Sequence, residues 1–315
     1  MEGLLLAVAA VIVTWNSEQV VQKCLEALAN MTITPIVVDN ASSDHTVELA
    51  RSYPGVQVIA NPYNRGFAAA ANQGIAATSA EFILLLNPDV HLLTSVDTLV
   101  QASRQYGLAA GKLVDSDQRP QSGFTIRRLP TPASLIFELF GINRLWPNNP
   151  VNRRYRCLDR DLDLPGPVEQ PAGAFLMTRR DVWERLGGFD ESFQPVWFED
   201  VDYCRRALDA GYRIEYVPSV LGSHAGGHSV AQVPPGCRAV YWCVSLLRYA
   251  AKHFRSLGYR SVCAAVLFTS VPRMFAGMIR DRSFTPYSFY SRIIRIAGQC
   301  LISDRRRGIS NGTDS

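Results

Sequence analysis

Residues 6–16, Leu6-Ala7-Val8-Ala9-Ala10-Val11-Ile12-Val13-Thr14-Trp15-Asn16, decide the fold class. An apolar run of eight residues, partly β-branched, stops abruptly at Thr14-Trp15-Asn16, which suits a strand buried on both faces. A membrane span takes about 20 apolar residues, so the run is too short for one. Residues 3–13 have no basic leader and no cleavage site, and read poorly as a signal peptide. Outward from this strand, residues 18–28 carry Val21, Leu25 and Leu28 at helical spacing, and Ile36-Val37-Val38 is a short buried strand ending at Asp39. Residues 44–51 read as a helix with Ser42, Ser43 or Asp44 as its N-cap. Strand texture at 56–60, an Ala-rich helix at 67–77 and a buried strand at 82–86 continue the alternation. No internal repeat is visible. Alternating strands and helices predict an α/β fold with a mostly parallel central sheet and right-handed crossovers.

The chain has 315 residues, 47% of them hydrophobic and 19% charged, enough for a large core without staples. Intrinsic disorder and low-complexity classes are excluded for most of it. Seven scattered cysteines, with no Cys-x-x-Cys pair, read as reduced thiols and not as disulfides or a zinc site. The net charge of +4 hides an asymmetry: from Gly236 onward, 13 Arg and Lys stand against 3 acidic residues. An acidic body with a basic C-terminal third points to a polyanion or an anionic membrane surface as partner. No nucleic-acid-binding motif accompanies the charge, so nucleic acid is not expected.

Residues 118–171 hold eight prolines and read as lacking any long element, either a lid or acceptor-side region or a decorative insertion. A strand at 172–178 and a helix at 180–186 follow. The last third reads as helices. Val240, Cys243, Val244, Leu247, Ala251 and Phe254 share one face, and Ser245, Arg248, Lys252 and Arg255 another. An apolar run at 262–271 reads as broken by Pro272-Arg273 and continued at 274–279, which suits an interfacial helix better than a span, the other reading being a C-terminal helical subdomain packed on the core. The expected organisation is a catalytic domain over 1–235, a basic amphipathic helical extension over 236–303 and a disordered tail over 304–315.

In an open α/β sheet, ligands bind beyond the carboxyl ends of the strands. Three polar clusters fall there: Thr14-Trp15-Asn16, Asp39-Asn40-Ala41-Ser42-Ser43-Asp44 and Asn87-Pro88-Asp89. A fourth, Trp197-Phe198-Glu199-Asp200-Val201-Asp202, sets three carboxylates beside aromatic rings, an arrangement that is costly unless they are solvated, paired or metal-bound. Pairing of Asp202 with Arg206 at i, i+4 accounts for one of them.

These segments, with Asn64-Arg65-Gly66-Phe67-Ala68, Gly173-Ala174-Phe175, Gly187-Gly188-Phe189-Asp190-Glu191 and His224-Ala225-Gly226-Gly227-His228-Ser229, resemble glycosyltransferase family 2. The order most resembles its bacterial rhamnosyltransferase-like branch and covers roughly residues 7–230. The resemblance implies a GT-A fold, a nucleotide-diphospho-sugar donor, Mg2+ or Mn2+, and inverting displacement. It places Asp39 against the pyrimidine base, Thr14, Asn16 and Asn40 beside the nucleoside, and Asn64-Arg65 closing over it. Asn87-Pro88-Asp89 stands at the family's Asp-x-Asp position with Asn for the first Asp, leaving Asp89 as the main metal carboxylate. His224 is the candidate second ligand, with His228 as its rival. Asp200 is the expected general base, Glu199 and Asp202 are its alternatives, and Glu199 is also a candidate for binding acceptor. The expected substrates are a dTDP- or UDP-linked donor, with L-rhamnose first among the sugars and galactofuranose, N-acetylglucosamine and glucose as alternatives, and a polyprenyl-linked or growing glycan acceptor; the alternative of another class is a non-catalytic sugar-nucleotide-binding assembly protein. The protein would work in the cytoplasm, peripheral on the inner face of the cell membrane.

Overall fold

The computed structural model describes residues 7–302. In chain order the elements are β1 (Val8–Thr14), α1 (Glu18–Leu28), β2 (Ile33–Asp39), α2 (Thr46–Arg51), β3 (Gln57–Ala60), α3 (Phe67–Ala76), β4 (Phe82–Leu86) and β5 (Val90–Leu92). Next come α4 (Asp97–Tyr106), β6 (Gly107–Val114), β7 (Ile126–Arg127), α5 (Pro132–Leu139), α6 (Ile142–Leu145), α7 (Pro150–Tyr155), β8 (Gly166–Val168), β9 (Gln170–Pro171) and β10 (Phe175–Arg179). The chain continues with α8 (Arg180–Leu186), α9 (Glu199–Asp209), β11 (Arg213–His224), α10 (His228–Gln232), α11 (Pro235–His253), α12 (Ser256–Asp281) and α13 (Thr285–Ile302). They divide into two compact units: one of residues up to 129 with 156–195 and 199–232, the other of 130–155, 196–198 and the chain from 233.

The first unit is built on a nine-stranded sheet ordered β3-β2-β1-β4-β10-β6-β11-β5, with β8 also on β11. Its pairings are parallel across β3, β2, β1 and β4 and between β6 and β11. Strand β10 runs antiparallel to both β4 and β6, and β5 and β8 run antiparallel to β11. The alternation of β1 explains how it is covered. Val8, Ala10 and Ile12 pack with Val21, Leu25 and Leu28 of α1, while Ala9, Val11 and Val13 face the cluster of Ala68, Ala71 and Ile75 of α3. One strand thus carries two cores.

Several local expectations change. Helix α2 begins at Thr46 with His45 at the cap position; Asp44 instead accepts from Thr46 N at 3.1 Å and from Glu18 N at 3.1 Å, tying two helix starts together. The proline-rich stretch is not without structure. It holds β7, α5, α6, α7, β8 and β9, with Pro132 and Pro150 as the first residues of α5 and α7, where a missing N–H costs nothing. The strand expected at 172–178 starts later, at Phe175, because residues 172–174 turn before joining the sheet.

The second unit is helical. Helix α12 packs along α13 and α5, and runs unbroken through Pro272. Burial of Val266, Thr269, Ser270, Met274 and Gly277 on either side of the proline holds the turn that its ring would otherwise open. Ser245, expected on a polar face, is buried on α11 and donates to Val196 O at 3.2 Å. Phe198 joins the same cluster through Tyr249, ring centroids 5.5 Å apart. Among the described residues α12 alone is long and apolar enough to cross a membrane by length and composition. Residues 304–315, expected to be disordered, lie outside the described residues.

Candidate active site

Strand register assembles the site. Parallel pairing sets Thr14 opposite Asp39, so the carboxyl ends of β1 and β2 meet. Thr14 Oγ1 donates to Asp39 Oδ1 at 2.9 Å, and Ser42 N donates to Oδ2 at 2.8 Å. The Ser42 hydroxyl adds a bond to Oδ1 at 2.5 Å. Asp39 is buried and held in place by these three hydrogen bonds, of which Oδ2 accepts only one. Asn16, in a left-handed conformation at φ 47°, accepts from Ser43 N at 2.8 Å and receives Gln232 Nε2 on its backbone carbonyl at 2.7 Å. Asn40 bridges to the next loop: its Nδ2 donates to Gly66 O at 3.1 Å and its Oδ1 accepts from Arg65 N. Asn64 Oδ1 accepts from Gly66 N at 2.9 Å. Gly66 has φ +82°, and a Cβ there would meet Pro195 O at 3.1 Å, so the loop from Asn64 needs glycine at this point.

Strand β10 enters this edge from the opposite direction, so its first residues, not its last, reach the site. Asn87 N donates to Ala174 O at 3.0 Å. Beyond it, β5 and β11 pair with His224 opposite Val90, which brings His224 beside Asp89. His224 Nε2 lies 3.6 Å from Asp89 Oδ1, too long for a hydrogen bond, and both side chains are buried. Burial lowers the His224 pKa, and the nearby Asp89 charge partly opposes this. The imidazole stacks on Phe124 at 5.0 Å, and Gln121 holds both its Nδ1 and its backbone carbonyl at 2.8 Å. Gln121 and Phe124 lie in the proline-rich stretch, and sequence reading did not single them out. The side chain of His228 lies outside the described residues.

The acidic cluster opens α9. Trp197 and Phe198, just before it, both have positive φ, 78° and 71°, a backbone that aromatic residues avoid and that structures retain mainly at functional sites. Asp200 accepts from Gly173 N at 3.0 Å and from Val201 N at 2.8 Å. Burial raises its pKa, against the pull of those two N–H groups and of the Arg127 charge. Glu199 is 5% exposed, and its Oε2 has no hydrogen-bond partner among the described residues. Burial first, and the Asp200 charge second, push its pKa well up. Asp202 is fully buried and bound to Arg206 Nε at 2.7 Å. The same guanidinium donates to Leu186 O at 2.6 Å and Gly188 O at 2.7 Å, so Asp202 anchors the turn after α8.

Asp39, Asp89, His224 and the Gly173–Asp200 pair therefore gather at one edge of one sheet, although 185 positions of sequence separate Asp39 from His224. The edge is polar, rigid and rich in buried carboxylates. Ligands of open α/β sheets bind at such an edge, beyond the carboxyl ends of the strands.

Among known proteins, the N-acetylglucosaminyl-diphospho-decaprenol L-rhamnosyltransferase of Mycobacterium tuberculosis is 28% identical over 260 residues, 77% of this chain and 84% of the relative. Rhamnosyltransferase WbbL of Escherichia coli is 26% identical over 232 residues, 69% of this chain and 83% of the relative. In fold, the chain is similar to a mannosyltransferase of Pyrobaculum calidifontis solved with GDP-Man and Mn2+. That match has a TM-score of 0.51 and 16% identity, and covers 94% of this chain and 76% of the other. The sequence profile of Glycosyl transferase family 2 matches residues 9–184, from β1 through most of α8. Since that is more than half of its length, the chain belongs to glycosyltransferase family 2 and is an enzyme that transfers hexosyl groups.

Proposed function

We propose that the protein is an inverting rhamnosyltransferase that moves L-rhamnose from a dTDP-linked donor to a polyprenyl-diphosphate-linked or growing glycan acceptor. The observation that carries this reading is the meeting, at one sheet edge, of a nucleoside-side carboxylate, a metal-type pair and a raised-pKa carboxylate. The sugar and the lipid-linked acceptor are supported by the two relatives, whose names specify rhamnosyl transfer and, in one, a decaprenol-linked substrate.

In this reading Asp39, Thr14, Asn16 and Asn40 receive the nucleoside, with Asn64-Arg65 over it. Asp200 accepts the proton of the acceptor hydroxyl as that oxygen attacks the anomeric carbon from the face opposite the diphosphate. Its raised pKa makes it a better base than an exposed carboxylate, and the Gly173 and Val201 N–H groups aim it. One base suffices, since inversion needs no carboxylate nucleophile. Glu199, whose pKa burial pushes well up, orients the acceptor, and Asp202 braces the loop through Arg206.

A divalent ion fits the Asp89–His224 pair, a hard carboxylate oxygen beside an imidazole nitrogen at a separation that suits two ligands of one ion. No group of three or more His, Cys, Asp and Glu side chains able to hold a metal occurs among the described residues, so donor phosphate oxygens and Asn87 would complete the set. Once bound, Mg2+ or Mn2+ neutralises charge developing on the departing diphosphate.

The same reading sets the enzyme on the inner face of the cell membrane. Phe268, Phe275 and Ile279 of α12 are 72%, 53% and 78% exposed and share one stripe by helical spacing, with Arg273 and Arg280 about a third of a turn away. The donor assignment is tested by calorimetry with dTDP-rhamnose, UDP-sugars and GDP-sugars, each with and without Mn2+. Metal-dependent binding of dTDP-rhamnose alone is expected, and preference for another nucleotide would overturn it.

A further inference from the structure

We propose that Gln121 is a positioning residue that locks His224 in the Nδ1–H tautomer, leaving the Nε2 lone pair as the atom offered toward Asp89. The proposal rests on the reading that Asp89 and His224 hold a divalent ion, and adds the residue that makes His224 fit for it.

A backbone carbonyl only accepts, so the Gln121 atom 2.8 Å from His224 O is its amide nitrogen. That fixes the amide orientation, which heavy-atom positions alone leave open. The other Gln121 atom, Oε1, then faces His224 Nδ1 at 2.8 Å, and since Oε1 also only accepts, Nδ1 must carry the hydrogen. In the neutral ring Nε2 is then bare, and it is the nitrogen that lies 3.6 Å from Asp89 Oδ1. Ligating histidines commonly donate their second N–H in this way, which fixes the ring and raises its basicity.

Gln121 is itself held. Its N–H donates to Leu113 O at 3.0 Å at the end of β6, and its carbonyl accepts from Phe124 N at 3.1 Å and Thr125 N at 3.0 Å. The turn that anchors Gln121 also supplies Phe124, which stacks on the imidazole at an interplanar angle of 13°. One turn thus grips the ring at its face and at one nitrogen.

Two readouts on metal-free, 15N-labelled full-length protein test this: long-range 1H–15N spectra of His224, assigned against a His224→Ala sample, and Mn2+ titration followed by electron paramagnetic resonance. Wild type is expected to show the Nδ1–H tautomer. Gln121→Leu should show mixed tautomers and a Mn2+ dissociation constant raised about 10–100-fold, in the range of lost ligand-supporting bonds. The wild-type tautomer is read without any substitution, so the assignment stays testable even if the Leu variant fails to fold. An Nε2–H tautomer in the wild type, or Gln121→Leu unchanged in both readouts, would overturn the proposal. The Nδ1–H tautomer together with no Mn2+ binding, with or without dTDP, would overturn the metal reading itself and the ligand half of this assignment.

Discussion

Gly173 and Asp200 are fitted to each other: the Gly173 N–H donates to Asp200 Oδ2 at 3.0 Å, and a Cβ on Gly173 would lie 2.8 Å from Asp200 Cβ. Any side chain at 173 must push the carboxylate away. Gly173→Ala is therefore expected to lower turnover about 100-fold through misplacement alone, while donor affinity stays at the wild-type value. Single-turnover kinetics beside donor calorimetry separates the two, and an unchanged rate would show that this contact does not position the base.

Asp202 and Asp200 are two positions apart on α9 and should behave differently. Removing the fully buried Asp202 leaves the Arg206 guanidinium without its carboxylate, and Asp202→Ala should cost about 3 kcal/mol in urea unfolding. A cost under about 0.5 kcal/mol, the worth of an exposed pair, would contradict the bracing role.

Glu199 sets a pH dependence of stability. Its folded pKa lies well above the ordinary 4.5, so between those values the native state holds a proton that the unfolded chain has released. Stability then falls as pH rises through that window. Glu199→Gln removes the penalty, and the variant should melt above wild type at pH 8 and near it at pH 5. A difference in melting temperature that does not change with pH would contradict the assignment.

The exposed stripe of α12 predicts a surface effect without a folding effect. Replacing Phe268, Phe275 and Ile279 together by Ser should weaken binding to anionic phosphatidylglycerol vesicles at low salt and leave the melting temperature unchanged. Equal partition of variant and wild type would remove the membrane reading of this helix.

Much of this architecture was legible in the residues. The bounds of α1, β4 and α8 match the expected ones because each is framed by polar or turn residues and carries a clean pattern. The sheet-edge clusters could be read because strands that end at Thr14, Asp39 and Leu86 must deliver their loops to one side. The reversed direction of β10 was hidden, since a central strand looks alike in either orientation. Gln121 was hidden because its partner His224 is 103 positions away and prolines around it suggested a loop without structure. The left-handed Trp197 and Phe198 have no local signature, because neither residue favours that conformation. Pro272 misled for the opposite reason: local chemistry predicts a break that packing on both sides overrides.

The most direct test of the central claim compares wild type with Asp200→Asn, measuring dTDP-rhamnose affinity by calorimetry and nucleoside diphosphate release with a polyprenyl-diphosphate-linked glycan acceptor. Equal donor affinity is expected, with turnover lowered about 10²–10⁴-fold, the usual contribution of a general base. Near-wild-type turnover in Asp200→Asn would contradict it.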